Sequence, residues 1–159
     1  MLLKGFPRGE EQPFQKIHKV SQGKQIVKPA SADIMRELLV GVVKEGTGRA
    51  ARCKYTDVAG KTGTDDNMSN CWFVGVTPSY SLAVWHGNNK TNLAPEIFSG
   101  AIDALYEEKK VEKDEFSFHA NIKQVVCCAK SGMPISKKCT TIRMGYFDAT
   151  SPSGICDIH

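Results

Sequence analysis

The 159-residue sequence contains no apolar run approaching the ~18–20 residues that cross a bilayer, so no membrane-spanning helix is read from it. It also lacks the apolar core of a signal peptide. Met1-Leu2-Leu3 is soon interrupted by Pro7-Arg8-Gly9, and any membrane anchor is expected outside this chain. Charge of one sign is scarce too: 21 Lys and Arg against 17 Asp and Glu leave a net +4, too small and dispersed for nucleic-acid binding. That excess is read as solubility. No internal repeat is apparent either. What remains, at 41% hydrophobic and 24% charged residues, is a folded chain rather than a disordered one. Its length suits one ordinary domain, or most of one with a small appendage.

Periodicity supplies an order of elements. Phe14 to Val27 reads as two short extended pieces around a turn at Ser21-Gln22-Gly23-Lys24. A helix follows, with Ser31 as N-cap, Asp33 in the first turn and Ile34, Met35, Leu38, Leu39, Val42 and Val43 at helical spacing; Gly46-Thr47-Gly48 ends it. Three strands come next: Tyr55 to Thr64, Cys71 to Val76 and Leu82 to Trp85, antiparallel because their connections are short. Pro95 and Glu96 open a second helix whose apolar stripe is Ile97, Phe98, Ala101, Ile102, Leu105 and Tyr106. The fold class is therefore α+β, an antiparallel sheet flanked by helices, with a small Cys-rich, mostly extended module at the C-terminus. Expected boundaries are residues 1–106 for the main unit, 107–118 for a charged helix end or linker, and 119–159 for the tail.

The informative segment is Ala59-Gly60-Lys61-Thr62-Gly63-Thr64. An edge strand offers unpaired backbone groups to which an extended peptide can add as one more strand. Gly60 and Gly63 remove side chains where that second backbone approaches. Thr62 and Thr64 share a face by period-two alternation, and their hydroxyls suit a carboxylate. Lys61 adds positive charge for the same anion. The Thr64 N–H is placed to donate to an oxyanion in acyl transfer.

Lys61-Thr62-Gly63 resembles the third motif of serine penicillin-binding proteins and β-lactamases. The surroundings narrow the resemblance to class A (bifunctional) penicillin-binding proteins: Ser31 to Val43, Gly46-Thr47-Gly48, Ala59 to Thr64, Cys71-Trp72-Phe73-Val74-Gly75 with Thr77-Pro78, and Val84-Trp85 with Gly87 follow in family order. The tail, with Val126-Cys127, Ser131-Gly132, Cys139, Phe147, Pro152, Cys156 and His159, resembles a C-terminal extension of some members. The resemblance implies part of a transpeptidase fold shared with serine β-lactamases. It also implies D,D-transpeptidation of peptidoglycan stem peptides, β-lactams as inhibitors, no cofactor, and a place on the extracytoplasmic face of a bacterial membrane. Lys61 and Thr64 are the implied catalytic residues, and Lys61, Thr62, Gly63 and Thr64 the implied substrate-binding ones.

Two family elements are missing. No Ser-x-Asn occurs, and Ser21-Gln22-Gly23-Lys24 matches Ser-x-x-Lys only as a pattern, since Gly23 suits a hairpin turn and not the start of a helix. The nucleophile is thus expected upstream, and this chain alone is expected to be inactive. Asn70-Cys71 stands where the family usually has Asp-Ala. Trp72 and Trp85 read as core packing between adjacent strands, Cys53 and Cys71 as small buried hydrophobes, and His18 and His86 as structural or exposed. For the tail cysteines a disulfide suits an extracytoplasmic protein; zinc held by Cys127 or Cys128 with Cys139, Cys156 and His159, or unlinked thiols, are the alternatives. A non-catalytic wall-binding or scaffolding module is the competing function. A β-lactamase or β-lactam sensor is disfavoured by the long tail and the Gly46-Thr47-Gly48 turn.

Overall fold

The structure, a computed structural model, describes residues 25–87, 91–110, 112–118, 121–151 and 154–158. The expected turn at Ser21-Gln22-Gly23-Lys24, and His18 with it, lie outside the described residues. The first helix, α1, spans Pro29–Lys44. A proline at the first helical position forfeits no intrahelical bond, and it holds Lys28 before it extended (φ −62°, ψ 140°). The cap thus falls at Lys28, three residues before the expected Ser31. Lys28 O accepts the first turn's bond from Ala32 N–H (3.1 Å), and Asp33 pairs with Arg36 (2.9 Å). Gly46 and Gly48 both donate to Val42 O and close the C-terminus as expected.

Strands β1 (Ala59–Thr64), β2 (Asn70–Val76) and β3 (Ser81–Gly87) form one antiparallel sheet in the order β1-β2-β3, with Thr62 opposite Phe73 and Phe73 opposite Val84. The first strand is shorter than the expected Tyr55 to Thr64. Residues 55–57 pair instead with the segment after the second helix: Asp57 N–H donates to Asp114 O (3.0 Å) and Asp114 N–H to Tyr55 O (2.8 Å). Helix α2 spans Ala94–Lys109 and ends at Lys110, whose left-handed φ of 50° stops it.

Alternation along β2 decides which face is buried. Cys71, Phe73 and Gly75 turn toward α2, where Phe73 meets Phe98 edge-on at 4.8 Å within a core of Val43, Ala51, Val58, Ile102 and Tyr106. The hydroxyl of buried Tyr106 donates to Asp114 Oδ2 (2.8 Å), which fastens residues 112–118 to this core. Trp72, Val74, Val76 and Trp85 fall on the opposite face, which is open. The two tryptophans do pair across the strands (6.5 Å between centroids), but they are 43% and 55% exposed and are not core. The expectation of core packing is corrected by the parity of the strand.

The tail is a separate antiparallel hairpin, β4 (Ile122–Cys128) with β5 (Ile142–Asp148), lying near the exposed side of α1. No helix among the described residues is long and apolar enough to cross a membrane.

Candidate functional site

Strand β1 is the edge of its sheet: among the described residues, β2 lies on one side of it and no strand on the other. Its two glycines serve different ends. A Cβ at Gly60 would stand 2.5 Å from Phe73 Cζ and 2.8 Å from Val74 O, so Gly60 is required by the chain's own core. That corrects the expectation that it clears space for a second backbone. Gly63 would meet only Trp72 Cβ at 3.4 Å and is otherwise open to solvent. The strand is accordingly anchored at Ala59-Gly60 and exposed from Gly63 to Thr64.

The polar groups of β1 are held in defined orientations. Lys61 Nζ curls onto the next residue, donating to Thr62 O (3.0 Å) and Thr62 Oγ1 (3.1 Å). Thr62 Oγ1 also lies 2.9 Å from Thr47 Oγ1, in the turn after α1. Thr64 Oγ1 accepts from Asn92 Nδ2 at 3.2 Å. The orientation of that amide is fixed, because Asn92 Oδ1 accepts from Ala94 N–H (3.0 Å) at the start of α2. With Asn92 as donor, the proton of the Thr64 hydroxyl remains available to an acceptor outside. Thr47 and Asn92 were not read as site residues from sequence. Asn92, two residues before a helix, carried a capping signal; Thr47 was noted only within the Gly46-Thr47-Gly48 turn.

Asn70 closes the β1–β2 hairpin. Its backbone and side-chain N–H groups donate to Asp65 (3.2 and 2.9 Å), and its Oδ1 accepts from Trp85 Nε1 (3.2 Å). The side-chain bond and then the backbone bond hold the Asp65 carboxyl below the usual range. A depressed carboxyl stabilises the fold above its unfolded value and loses that contribution as pH falls through the folded one. Asn70→Asp sets a second carboxylate against Asp65. The variant's thermal midpoint is expected below that of the parent at about pH 7, with the gap narrowing toward about pH 4 as one carboxyl takes up a proton. Melting curves of both proteins at the two pH values measure it.

Neither isolated cysteine has the character of a nucleophile. Cys71 is fully buried, and burial, with Asp103 nearby, pushes the half-buried Cys53 thiol up to about 12. In the tail, adjacent Cys127 and Cys128 point to opposite faces of β4. Cys127 Sγ sits over Gly145, where a Cβ would come within 2.7 Å of it. Cys128 instead joins Cys139 and Cys156, their sulfurs all within 4.8 Å of one another. Of the two candidates for the first member of the grouping with Cys139, Cys156 and His159, the structure brings in Cys128 and leaves out Cys127, and His159 lies outside the described residues. No disulfide joins cysteines among the described residues.

Residues 6–104 match the family model described as the penicillin binding protein transpeptidase domain. This chain belongs to that family. Curated relatives agree: it is 39% identical over 100 residues to Penicillin-binding protein 1A of Clostridium botulinum (strain Langeland), covering 62% of this chain and 12% of the relative. Penicillin-binding protein 1A of Clostridium tetani is 31% identical over 151 residues, 85% of this chain and 19% of its own length. Penicillin-binding protein 1A/1B of Bacillus subtilis is 33% identical over 116 residues, 64% of this chain and 12% of the relative. The chain therefore spans a fifth or less of these relatives, and it corresponds to part of the transpeptidase domain of a class A penicillin-binding protein. Both sheets are antiparallel and accompanied by helices, in keeping with an α+β transpeptidase fold.

Proposed function

We propose that this chain supplies the substrate-binding strand of a serine D,D-transpeptidase that cross-links peptidoglycan stem peptides and is acylated by β-lactams. The observation that carries the proposal is the edge of β1. Lys61 Nζ, Thr62 Oγ1 and Thr64 Oγ1 are gathered on a strand with no further strand beyond it among the described residues. In this reading Lys61, Thr62 and Thr64 clamp the terminal carboxylate of the stem peptide, and Gly63 leaves room for its backbone. The Thr64 N–H donates to the oxyanion of the tetrahedral intermediate, an interaction worth about 10²–10³ in rate. Thr47 and Asn92 position the two threonine hydroxyls.

The nucleophile belongs to a Ser-x-x-Lys helix outside this chain. It attacks the D-Ala-D-Ala amide, D-alanine leaves, and the amine of another stem resolves the acyl-enzyme. The open sheet face of Trp72, Val74, Val76 and Trp85 supports a missing partner segment, since contiguous exposed apolar surface of this kind marks an interface. The rest of the domain would cover it. Residues 1–106 would then be the C-terminal portion of the transpeptidase domain, 107–118 a connection, and 119–159 a small Cys-rich module. The whole enzyme would work on the extracytoplasmic face of the membrane. The family match favours this reading over a non-catalytic scaffold.

Fluorescent penicillin tests it. The longer protein is expected to become covalently labelled, while this chain alone stays dark. Labelling of this chain alone would place the nucleophile within it, and a longer protein that also stays dark would remove the transpeptidase reading.

A further inference from the structure

We propose that Cys128, Cys139 and Cys156 bind one soft divalent metal ion, zinc in the first instance, which serves as the core of the C-terminal hairpin. Three separate segments deliver the sulfurs: the end of β4, the turn at 136–139, and the chain near the C-terminus. Their backbones are already fixed. Cys128 N–H donates to Met133 O (2.8 Å), Cys139 N–H to Ser136 O (3.2 Å) and Cys156 N–H to Pro134 O (2.8 Å). The sulfurs lie within 4.8 Å of one another. Three thiolates on tetrahedral zinc, at about 2.3 Å each, stand roughly 3.8 Å apart, so binding needs only a small contraction.

The composition of this unit calls for such a centre. Among the described residues from 121 onward, Cys127, Cys128 and Cys156 are the buried apolar side chains, while Ile135, Ile142, Met144, Ile155 and Ile158 are exposed. A two-stranded hairpin is marginal on its own, and a unit of about 40 residues without an apolar core needs a cross-link or a metal. One disulfide engages two of the three sulfurs and leaves the third against it, whereas a metal engages all three. The sulfur of Cys139 is also oriented: Ser136 N–H donates to Cys139 Sγ (3.4 Å), and the Ser136 hydroxyl lies 3.5 Å from the same atom. Soft sulfur ligands select zinc over hard cations such as magnesium or calcium. Each zinc taken up displaces up to three thiol protons and leaves a centre of charge −1, with Lys137 and Lys138 just before Cys139 in the chain. The fourth corner takes water or a further donor.

The test uses the full chain, reduced and stripped with a chelator, then titrated with zinc and separately with cobalt(II). One equivalent of metal is expected, with release of protons and a thiolate-to-cobalt charge-transfer band in the wild-type chain. Cys139→Ser is expected to weaken binding beyond the ~10–100-fold brought by losing a supporting group, while Cys127→Ser retains it. Proton release and the cobalt band, read on the unaltered chain, do not depend on how any variant folds. Absence of uptake by the reduced chain would overturn the proposal, as would equal loss in Cys127→Ser. So would isolation of the chain with two of the three cysteines joined as a disulfide and no metal bound.

Discussion

Lys61→Ala in the longer enzyme is expected to slow acylation by penicillin by roughly 10²–10³-fold, the scale on which a preorganised group at a developing anion acts. The ammonium lies 3.1 Å from Thr62 Oγ1 and 3.0 Å from Thr62 O, so its loss removes both a positive charge and a donor that orients a clamp hydroxyl. Lys61 is exposed on the strand and contributes nothing to the core, so the variant should fold with the parent's stability. Lys61→Arg should recover only part of the rate, because a planar fork does not replace a point charge. A time course of fluorescent penicillin labelling measures all three proteins. An unchanged rate in Lys61→Ala removes Lys61 from the site.

The second large effect is on stability. Phe73→Ala is expected to destabilise the chain by about 3–5 kcal/mol, the usual range for emptying a fully buried aromatic position. Phe73 is 0% exposed, meets Phe98 at 4.8 Å and fills the space above Gly60, so the cavity opens directly beneath the anchored end of β1. Its neighbour is the control. Trp72→Ala removes a larger side chain, yet its half-exposed pairing with Trp85 is worth only about 0.5–1.5 kcal/mol beyond area. Urea denaturation of the three proteins compares them, and a larger loss for Trp72→Ala would contradict the assignment of the two faces. In the longer enzyme the same comparison speaks to function, since the register that sets Thr62 opposite Phe73 also positions the proposed clamp.

The order of elements was legible in the sequence because local signals carried it: glycines past the end of the first helix, β-branched runs between polar turns, and Pro95 in the first turn of the second helix. The edge segment Gly60 to Thr64 was legible for the same reason. Decisions resting on distant contacts were not. Pairing with Asp114, far along the chain, shortened the first strand, while Pro29, a local signal passed over, starts α1 ahead of the serine expected to cap it. Gly60 looked like an opening for substrate, whereas Phe73 occupies the space above it. Choosing Cys128 over Cys127 required the absolute parity of β4, which a short half-buried strand does not disclose. Asn92 required knowing that the loop before α2 returns to Thr64.

The most direct measurement is a crystal structure of the longer enzyme trapped as its penicillin acyl-enzyme. The account predicts the drug's carboxylate at about 2.7–3.2 Å from Thr62 Oγ1 and Thr64 Oγ1, with the acyl oxygen on the Thr64 N–H. A carboxylate held elsewhere, with the edge of β1 empty, would contradict it.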